Sequence, residues 1–494
     1  MSNKPASNIK HKKNYYGVLT VALLSIGSTI GAGIYFKTSE LLNNTGNIWL
    51  VYLAWTIAVI GFIAFGCCLG SLNHYNTSKD LGILGWIKSL NNKKIFAGSH
   101  RFLMWVYIPL STTFMSYYVV MSFQDALACF GLAENSLNTI EVILIAFAIM
   151  IYFTVTSSSL KVANIQNAII TFFKFIPILI IVIGGIILFG KANSNNEVAQ
   201  DWANYQPDTG GVSPFTRLIP IFGVISCLPA IMFTFDGFYI PTHTFNEMRK
   251  PNKGPLAICI GIIIIAAIYI LIVTGIWFGT VGESGYYTDM HFPNALIGVL
   301  SILIGIGVMG IINGFVILGA DTYRKTYKKA IGFHIAANKK SLIYFMVILF
   351  TFGFLIFTTA GVFYFSNGGN SVYGTWGNLG GTAGLYNLAD LIGNWTSTFM
   401  FGFFILPLYS MLKKHWNKLS KKLRTAAIIA IAYLAISFAY MSIETFFNLF
   451  YYLINGNSYE KISQILETSA YIIIMVVCLG NYICKKKRLN QTNN

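Results

Sequence analysis

The sequence predicts an all-α integral membrane protein with twelve spanning helices. Three observations lead there. Of the 494 residues, 55% are hydrophobic and only 10% charged, whereas soluble domains carry roughly 25% charged residues. Apolar stretches long enough to cross a bilayer recur along the whole chain, and the basic residues cluster in every second connection between them.

The spans follow in order from a hydropathy window of about 19 residues. A basic tail, residues 1–15, leads into the first, 16–41; its apolar run is too long for a cleaved leader and lacks a small-residue cleavage site, which makes it a permanent span. Then come 48–72, 102–130, the short 139–156, and 163–189. A polar, glycine-bearing connection, 191–216, separates these five from 217–246, 255–280, 294–320, 341–366 and 386–411. Spans 425–452 and 466–484 close the membrane region before a basic tail, 485–494.

Positively charged loops stay in the cytoplasm. With the N-terminus inside, the inner segments hold 29 of the 34 basic residues, and the outer ones hold only Lys191, Arg217 and Lys461. One miscounted span would invert every later loop and destroy that separation. The net charge of +17 therefore reports topology and contact with membrane lipids, not nucleic acid. Seven cysteines lie in or beside apolar runs without a CxxC pair, which suggests buried thiols and neither disulfides nor zinc. No HExxH, no clustered carboxylates and histidines, and no GxxxxGK[ST] occurs, so neither a membrane enzyme nor an ATP-driven pump is indicated, and no cofactor is called for. The connections around 190–214 and 366–384 are polar and glycine-rich, without chemistry of their own.

The first span contains SIGSTIGAGIYF, residues 25–36. Gly27 and Gly31 alone fit a small-xxx-small helix contact. Gly33 adds a second weak position beside Gly31, each costing about 1 kcal/mol relative to alanine in a helix. Freed backbone groups at membrane depth survive only beside a cavity or a ligand. The alternative to a packing contact is thus a span that unwinds near 30–34, its second half starting with free amides and a positive dipole end that suits a carboxylate. A broken-helix transporter needs a matching interruption in the other half of the chain. The sixth span supplies it in MFTFDGFYIPTHTFNEM, residues 232–248, where Asp236, Gly237 and Pro241 interrupt the apolar run.

GSTIGAGIYF, the FDGFYIPTHTFNEMRKPNKGPLA run and NGFVILGADTYRKTY after the eighth span resemble the amino acid–polyamine–organocation superfamily of permeases. That resemblance implies a leucine-transporter-type fold: spans 1–5 (16–190) and 6–10 (217–411) as inverted repeats with broken helices 1 and 6, and 425–484 as an accessory pair. It implies a substrate site on backbone groups. Amides of Gly31, Ala32 and Gly33 hold a carboxylate; Ala32 stands where the family usually has Ser or Thr, which removes one hydroxyl contact. Carbonyls near Thr29, Phe233 and Asp236 take an α-amino group, Phe233 caps the substrate, and Gly237 and Tyr239 complete the sixth-span side. A fifth-span lysine, here Lys174, matches the position that holds an ion in sodium-coupled relatives.

Lys174 stands roughly 20 Å from either end of its span, beyond the roughly 6 Å reach of a lysine stem. It is expected to be neutral, paired or beside carbonyls, either serving proton-linked coupling or ion-independent exchange, or acting as a structural tie to span 1. Lys37 is expected to snorkel as an anchor toward the outer vestibule, with attraction of anionic substrates there as the alternative. Asn313 is expected to brace span 8 against span 1; Asp125, Glu444 and the His243/Glu247 pair are expected to be structural. The expected function is a plasma-membrane, bacterial-type transporter of amino acids or small amines, by proton symport or exchange, with polyamine transport or a sensor role as alternatives. The aromatic wall of Phe233, Phe235, Phe238 and Tyr239 favours neutral substrates, and Asp236 admits cationic ones.

Overall fold

The computed structural model describes residues 17–78, 82–132, 137–194, 212–281, 285–330, 339–365 and 381–491, and the regular structure within them is helical. The polar connections 195–211 and 366–380 and the extreme tails lie outside the described residues. Ten helices are long and apolar enough to cross a membrane, and a bent pair forms an eleventh.

That pair is the first span. Helix α1 (Val18–Thr29) stops where Ile30 turns extended, and α2 (Ala32–Thr45) restarts after Gly31. The two halves are bent by 56°. A Cβ at Gly31 would lie 1.9 Å from Ile311 Cδ1, so the eighth span approaches the break to a distance only glycine permits. Helix α3 (Ile48–His74) is the second span, and α4 (Gly82–Leu90) a short connector.

The third span runs through α5 (Lys93–Phe102), a π turn at Leu103–Tyr107 and α6 (Ile108–Cys129). Pro109 at the start of α6 brings no N–H, which leaves a carbonyl one turn earlier without its α-helical donor, and the widened turn accommodates that loss. Its apolar window is 89% buried, against 28% for α7 (Thr139–Thr156), so the third span runs through the middle of the bundle. The fourth span, α7, coincides with the short 139–156 stretch. The fifth is α8 (Leu160–Ser194).

In the sixth span, α9 (Pro220–Phe235) has 16 residues, about 24 Å, short of the roughly 30 Å hydrocarbon core. It ends because Asp236 turns extended and Gly237 adopts φ +102°. A Cβ at Gly237 would lie 2.4 Å from the Ser28 carbonyl oxygen, so steric and backbone reasons both select glycine. The chain continues in 3₁₀ turns over Ile240–Glu247. Then follow α10 (Gly254–Gly279), α11 (Asn294–Ala330), α12 (Lys339–Phe365), α13 (Gly381–His415), α14 (Lys421–Asn455) and α15 (Ser458–Gln491). The central layer of spans 1, 3, 6, 8 and 10 carries the buried side chains around both breaks.

One bracing contact differs from expectation. Asn313 donates from Nδ2 to the Ala163 carbonyl at 2.9 Å, so it ties α11 to the start of α8, not to span 1. The opening turn of α8 lies within reach of Asn313, and the Ala163 carbonyl takes this bond on its second lone pair, beside its own helical one. Asn313→Leu is expected to lower stability by about 1–2 kcal/mol, read as a lower unfolding midpoint of the purified protein; an unchanged midpoint would show that the contact contributes nothing.

Candidate functional site

The two breaks lie against each other. Ser25 Oγ in α1 donates to the Phe238 carbonyl at 2.9 Å, and Ser28 Oγ lies 3.0 Å from the Gly237 carbonyl oxygen. These hydroxyls stitch the end of α1 to the unwound part of the sixth span. Tyr269 of α10 adds a clasp: its hydroxyl is 2.6 Å from the Thr234 carbonyl and 3.2 Å from the Thr29 carbonyl, bridging the last turns of both α9 and α1. The Thr29 hydroxyl turns back on the Ser25 carbonyl at 2.7 Å.

Helix α2 begins without a side-chain cap, because Gly31 occupies its N-cap position and Ala32 its first turn. Its first amides thus present partial positive charge at the break. Phe233 lies over them: a Cβ on Gly33 would meet the Phe233 ring and the Thr234 Cα at 3.2 Å. The other edge of the ring faces Gly393 of α13, where a Cβ would come within 3.0 Å. The aromatic ring therefore sits in a slot between the first and tenth spans, with glycine on both walls. The Phe233 carbonyl accepts the Asp236 amide at 3.1 Å, which closes the end of α9.

Asp236 is 6% exposed. Its Oδ1 accepts the hydroxyls of Tyr107 (2.6 Å) and Tyr239 (2.8 Å), and its Oδ2 accepts Ser397 Oγ (2.7 Å). The two tyrosine hydroxyls also touch each other. The widened turn before Pro109 carries Tyr107, α13 carries Ser397, and the unwound sixth-span segment carries Tyr239, so three spans converge on one carboxylate.

The two intramembrane lysines have different surroundings. Lys174 is 4% exposed and donates to the Gly27 carbonyl in α1 at 2.6 Å, its stem lying on Gly307 and Gly310 of α11. It is beside span 1 carbonyls, one of the three expected arrangements. Lys37 does not snorkel. It is 1% exposed and pairs with Glu40 at 2.6 Å and with Asp390 of α13. The bend in span 1 turns Lys37 toward α13, where a carboxylate offers a better partner than distant water. Tyr118 also donates to Asp390 (3.1 Å), and Lys37 Nζ stands 5.5 Å from the centre of the Phe233 ring. Asp125 accepts the Tyr287 hydroxyl at 2.9 Å, and Glu444 accepts those of Ser213 and Thr216, both in keeping with structural roles. The side chains of His243 and Glu247 lie outside the described ones. Among the described residues no cluster of histidine, cysteine or carboxylate could hold a metal.

Sequence reasoning picked out Gly31, Gly33, Phe233, Asp236, Gly237, Tyr239 and Lys174, which the fold gathers around the breaks. It missed Tyr107, Ser397 and Tyr269, since tyrosine and serine in apolar runs carry no signal of their own. Asp390 was accessible in principle: an acidic residue inside the tenth apolar stretch is costly without a partner.

A family model described as amino acid permease matches residues 16–479. An uncharacterized protein of Mycoplasma pneumoniae is 28% identical over 95% of this chain and 93% of its own length. The human b(0,+)-type amino acid transporter 1 is 23% identical over 52% of this chain and 49% of its own, and the serine/threonine exchanger SteT of Bacillus subtilis 23% identical over 62% and 66%. The chain thus spans about half the length of the human relative it matches. Among solved structures, MhsT in complex with L-phenylalanine aligns with a TM-score of 0.52 at 14% identity, over 87% of this chain and 99% of that one. A manganese transporter mutant of Eremococcus coleocola aligns at 0.50 and 12% identity, over 98% and 96%. These likenesses identify a leucine-transporter-type fold.

Proposed function

Because the chain belongs to the amino acid permease family, and is a multi-pass membrane transporter of the leucine-transporter fold, we propose that it moves amino acids by alternating access around its two helix breaks. It does so in the plasma membrane, with both termini in the cytoplasm, as the distribution of basic residues favours.

The observation that supports this reading best is the uncapped start of α2 facing the end of α9 across the Gly33–Phe233 contact. One helix offers amides and a positive dipole end; the other ends in carbonyls and a negative one. A zwitterion presents the complementary pair of charges. On this reading Gly31, Ala32 and Gly33 bind the carboxylate through their amides, and carbonyls at Thr29, Phe233 and Asp236 face the ammonium. Phe233 closes over the bound molecule, while Gly237 lets the sixth span unwind and Tyr239 lines its wall. Substrate-driven rocking of one repeat, 16–190, against the other, 217–411, exposes the site to each side in turn.

Lys174 supports sodium-independent operation. Its ammonium is bonded to the Gly27 carbonyl of span 1, at the position that the resemblance matches to the ion of sodium-coupled relatives. The chain then works as a proton symporter or as an exchanger.

Uptake of labelled amino acids into proteoliposomes tests this directly, with an inward proton gradient, without one, and with unlabelled substrate preloaded. Saturable uptake that persists without sodium is expected, and acceleration by the gradient or by preload separates symport from exchange. Where the gradient accelerates uptake, Lys174→Met is expected to abolish that acceleration while inserting normally. Uptake abolished by removing sodium would overturn the role given to Lys174, and failure of every amino acid would overturn the transport reading.

A further inference from the structure

The geometry points to a bound anionic phospholipid, its phosphate on Lys421 and Lys422 and one acyl chain in the groove between spans 2 and 11. Helices α3 and α14 meet where Gly61 faces Tyr433. A Cβ on Gly61 would lie 2.3 Å from the tyrosine ring, and Phe62 meets that ring edge-on with centroids 5.2 Å apart. Nearer the start of α14, Ala64 and Ala426 are too small to fill the space between the helices, and a groove of about 680 Å³ remains. Its walls open onto the surrounding hydrocarbon, since Ile60 is 52% exposed and Ile429 39%. The Thr425 hydroxyl turns back on the Lys421 carbonyl at 3.2 Å, so the apolar stretch offers water no set of partners.

The head of the groove is cationic. Lys421 and Lys422, the first two residues of α14, line it, and among the described residues neither has a carboxylate within ion-pair distance. Arg424 is engaged elsewhere: its Nε donates to the Leu419 carbonyl at 3.0 Å, and its guanidinium stands 4.9 Å from the centre of a Trp416 ring. Ser420 caps the Leu423 amide at 3.3 Å, which leaves the amides of both lysines at the positive end of the helix. The basic connections place this end in the cytoplasm, against a leaflet whose anionic lipids suit a basic pocket between spans. Ile429 lies eight residues from Lys421, about 12 Å along the helix, so the groove runs through most of one leaflet of a hydrocarbon core roughly 30 Å thick. A phosphate joined to an acyl chain matches both parts. A soluble anion leaves the groove empty, and a lipid without net charge leaves the lysines uncompensated.

The test offers the purified full chain equimolar phosphatidylglycerol and phosphatidylcholine with the same acyl chains, and native mass spectrometry counts the lipid retained. Each lysine beside an anionic headgroup is worth about fivefold in binding, so phosphatidylglycerol is expected to be retained about 10- to 30-fold better. Lys421→Gln combined with Lys422→Gln should bring that ratio within about threefold of unity. Ala426→Phe, which fills the groove and keeps both lysines, should lower retention of phosphatidylglycerol, and glycerol phosphate at the lipid's concentration should displace none of it. Equal retention of the two lipids by the unmodified protein overturns the inference, whether or not any variant folds. A preference that survives in the double lysine variant places the bound lipid elsewhere and overturns it too. Displacement by glycerol phosphate, or undiminished retention in a folded Ala426→Phe variant, removes the acyl-chain seat and with it the proposed site.

Discussion

Gly33→Val should abolish transport in protein that inserts and folds normally. The first turn of α2 has the Phe233 ring and the Thr234 backbone within 3.2 Å of the place where a Cβ would be. A single carbon there needs a shift of a few tenths of an ångström. The two further carbons of valine, branched at Cβ, cannot avoid both the ring and the backbone. The same branching stiffens the turn whose amides are assigned to the carboxylate. Loss of more than about 100-fold in uptake is expected, corresponding to roughly 3 kcal/mol, with an unchanged gel-filtration profile and a midpoint within a few degrees of the parent. Near-parental uptake would exclude the first turn of α2 as the carboxylate site. Gly33→Ala provides the graded control, since the ring edge can yield to one methyl, and should retain part of the activity.

Lys37→Met should produce the largest loss of stability. The substitution leaves Glu40 and Asp390 facing each other without the cation between them, and the Lys37 position itself is 1% exposed. Breaking a buried ion cluster by removing one member costs about 3–5 kcal/mol, because the remaining charges stay desolvated. Replacing all three charges together, as Lys37→Met with Glu40→Gln and Asp390→Asn, removes that penalty and should recover most of the loss. The midpoint of thermal unfolding in detergent distinguishes these cases. If the single variant matches the parent, the cluster is solvated or already neutral. The triple variant also separates stability from activity: should it fold yet fail to transport, the contact between spans 1 and 10 serves the transport cycle as well as the fold.

The span count, the place of both breaks and the membrane setting were legible in the sequence because each has a one-dimensional cause. Apolar length reports a crossing, and the short 139–156 stretch matched α7 for that reason. Glycine and proline report where backbone hydrogen bonding fails, so Gly31 and Gly237 marked the breaks before any contact was visible. Partnership has no such cause. Lys37 looked like an anchor because its distance along the chain from the membrane edge is short; only the 56° bend brings it to Asp390, more than three hundred residues away. Asn313 in an apolar run needs a partner, but the carbonyl it bonds belongs to Ala163 of the fifth span. Asp236 was visible as an expensive residue, whereas Tyr107, Ser397 and Tyr239 become its donors only after three spans meet.

By itself, then, the sequence determined a twelve-span bundle interrupted twice, since hydrophobic length and backbone propensity are local quantities summed along the chain. The tertiary structure decided which buried polar groups satisfy one another, because hydrogen bonds and ion pairs depend on distances across the bundle. It is that second set of choices that pairs Lys37 with carboxylates, puts Lys174 on a carbonyl and gives Asp236 three hydroxyl donors from three spans.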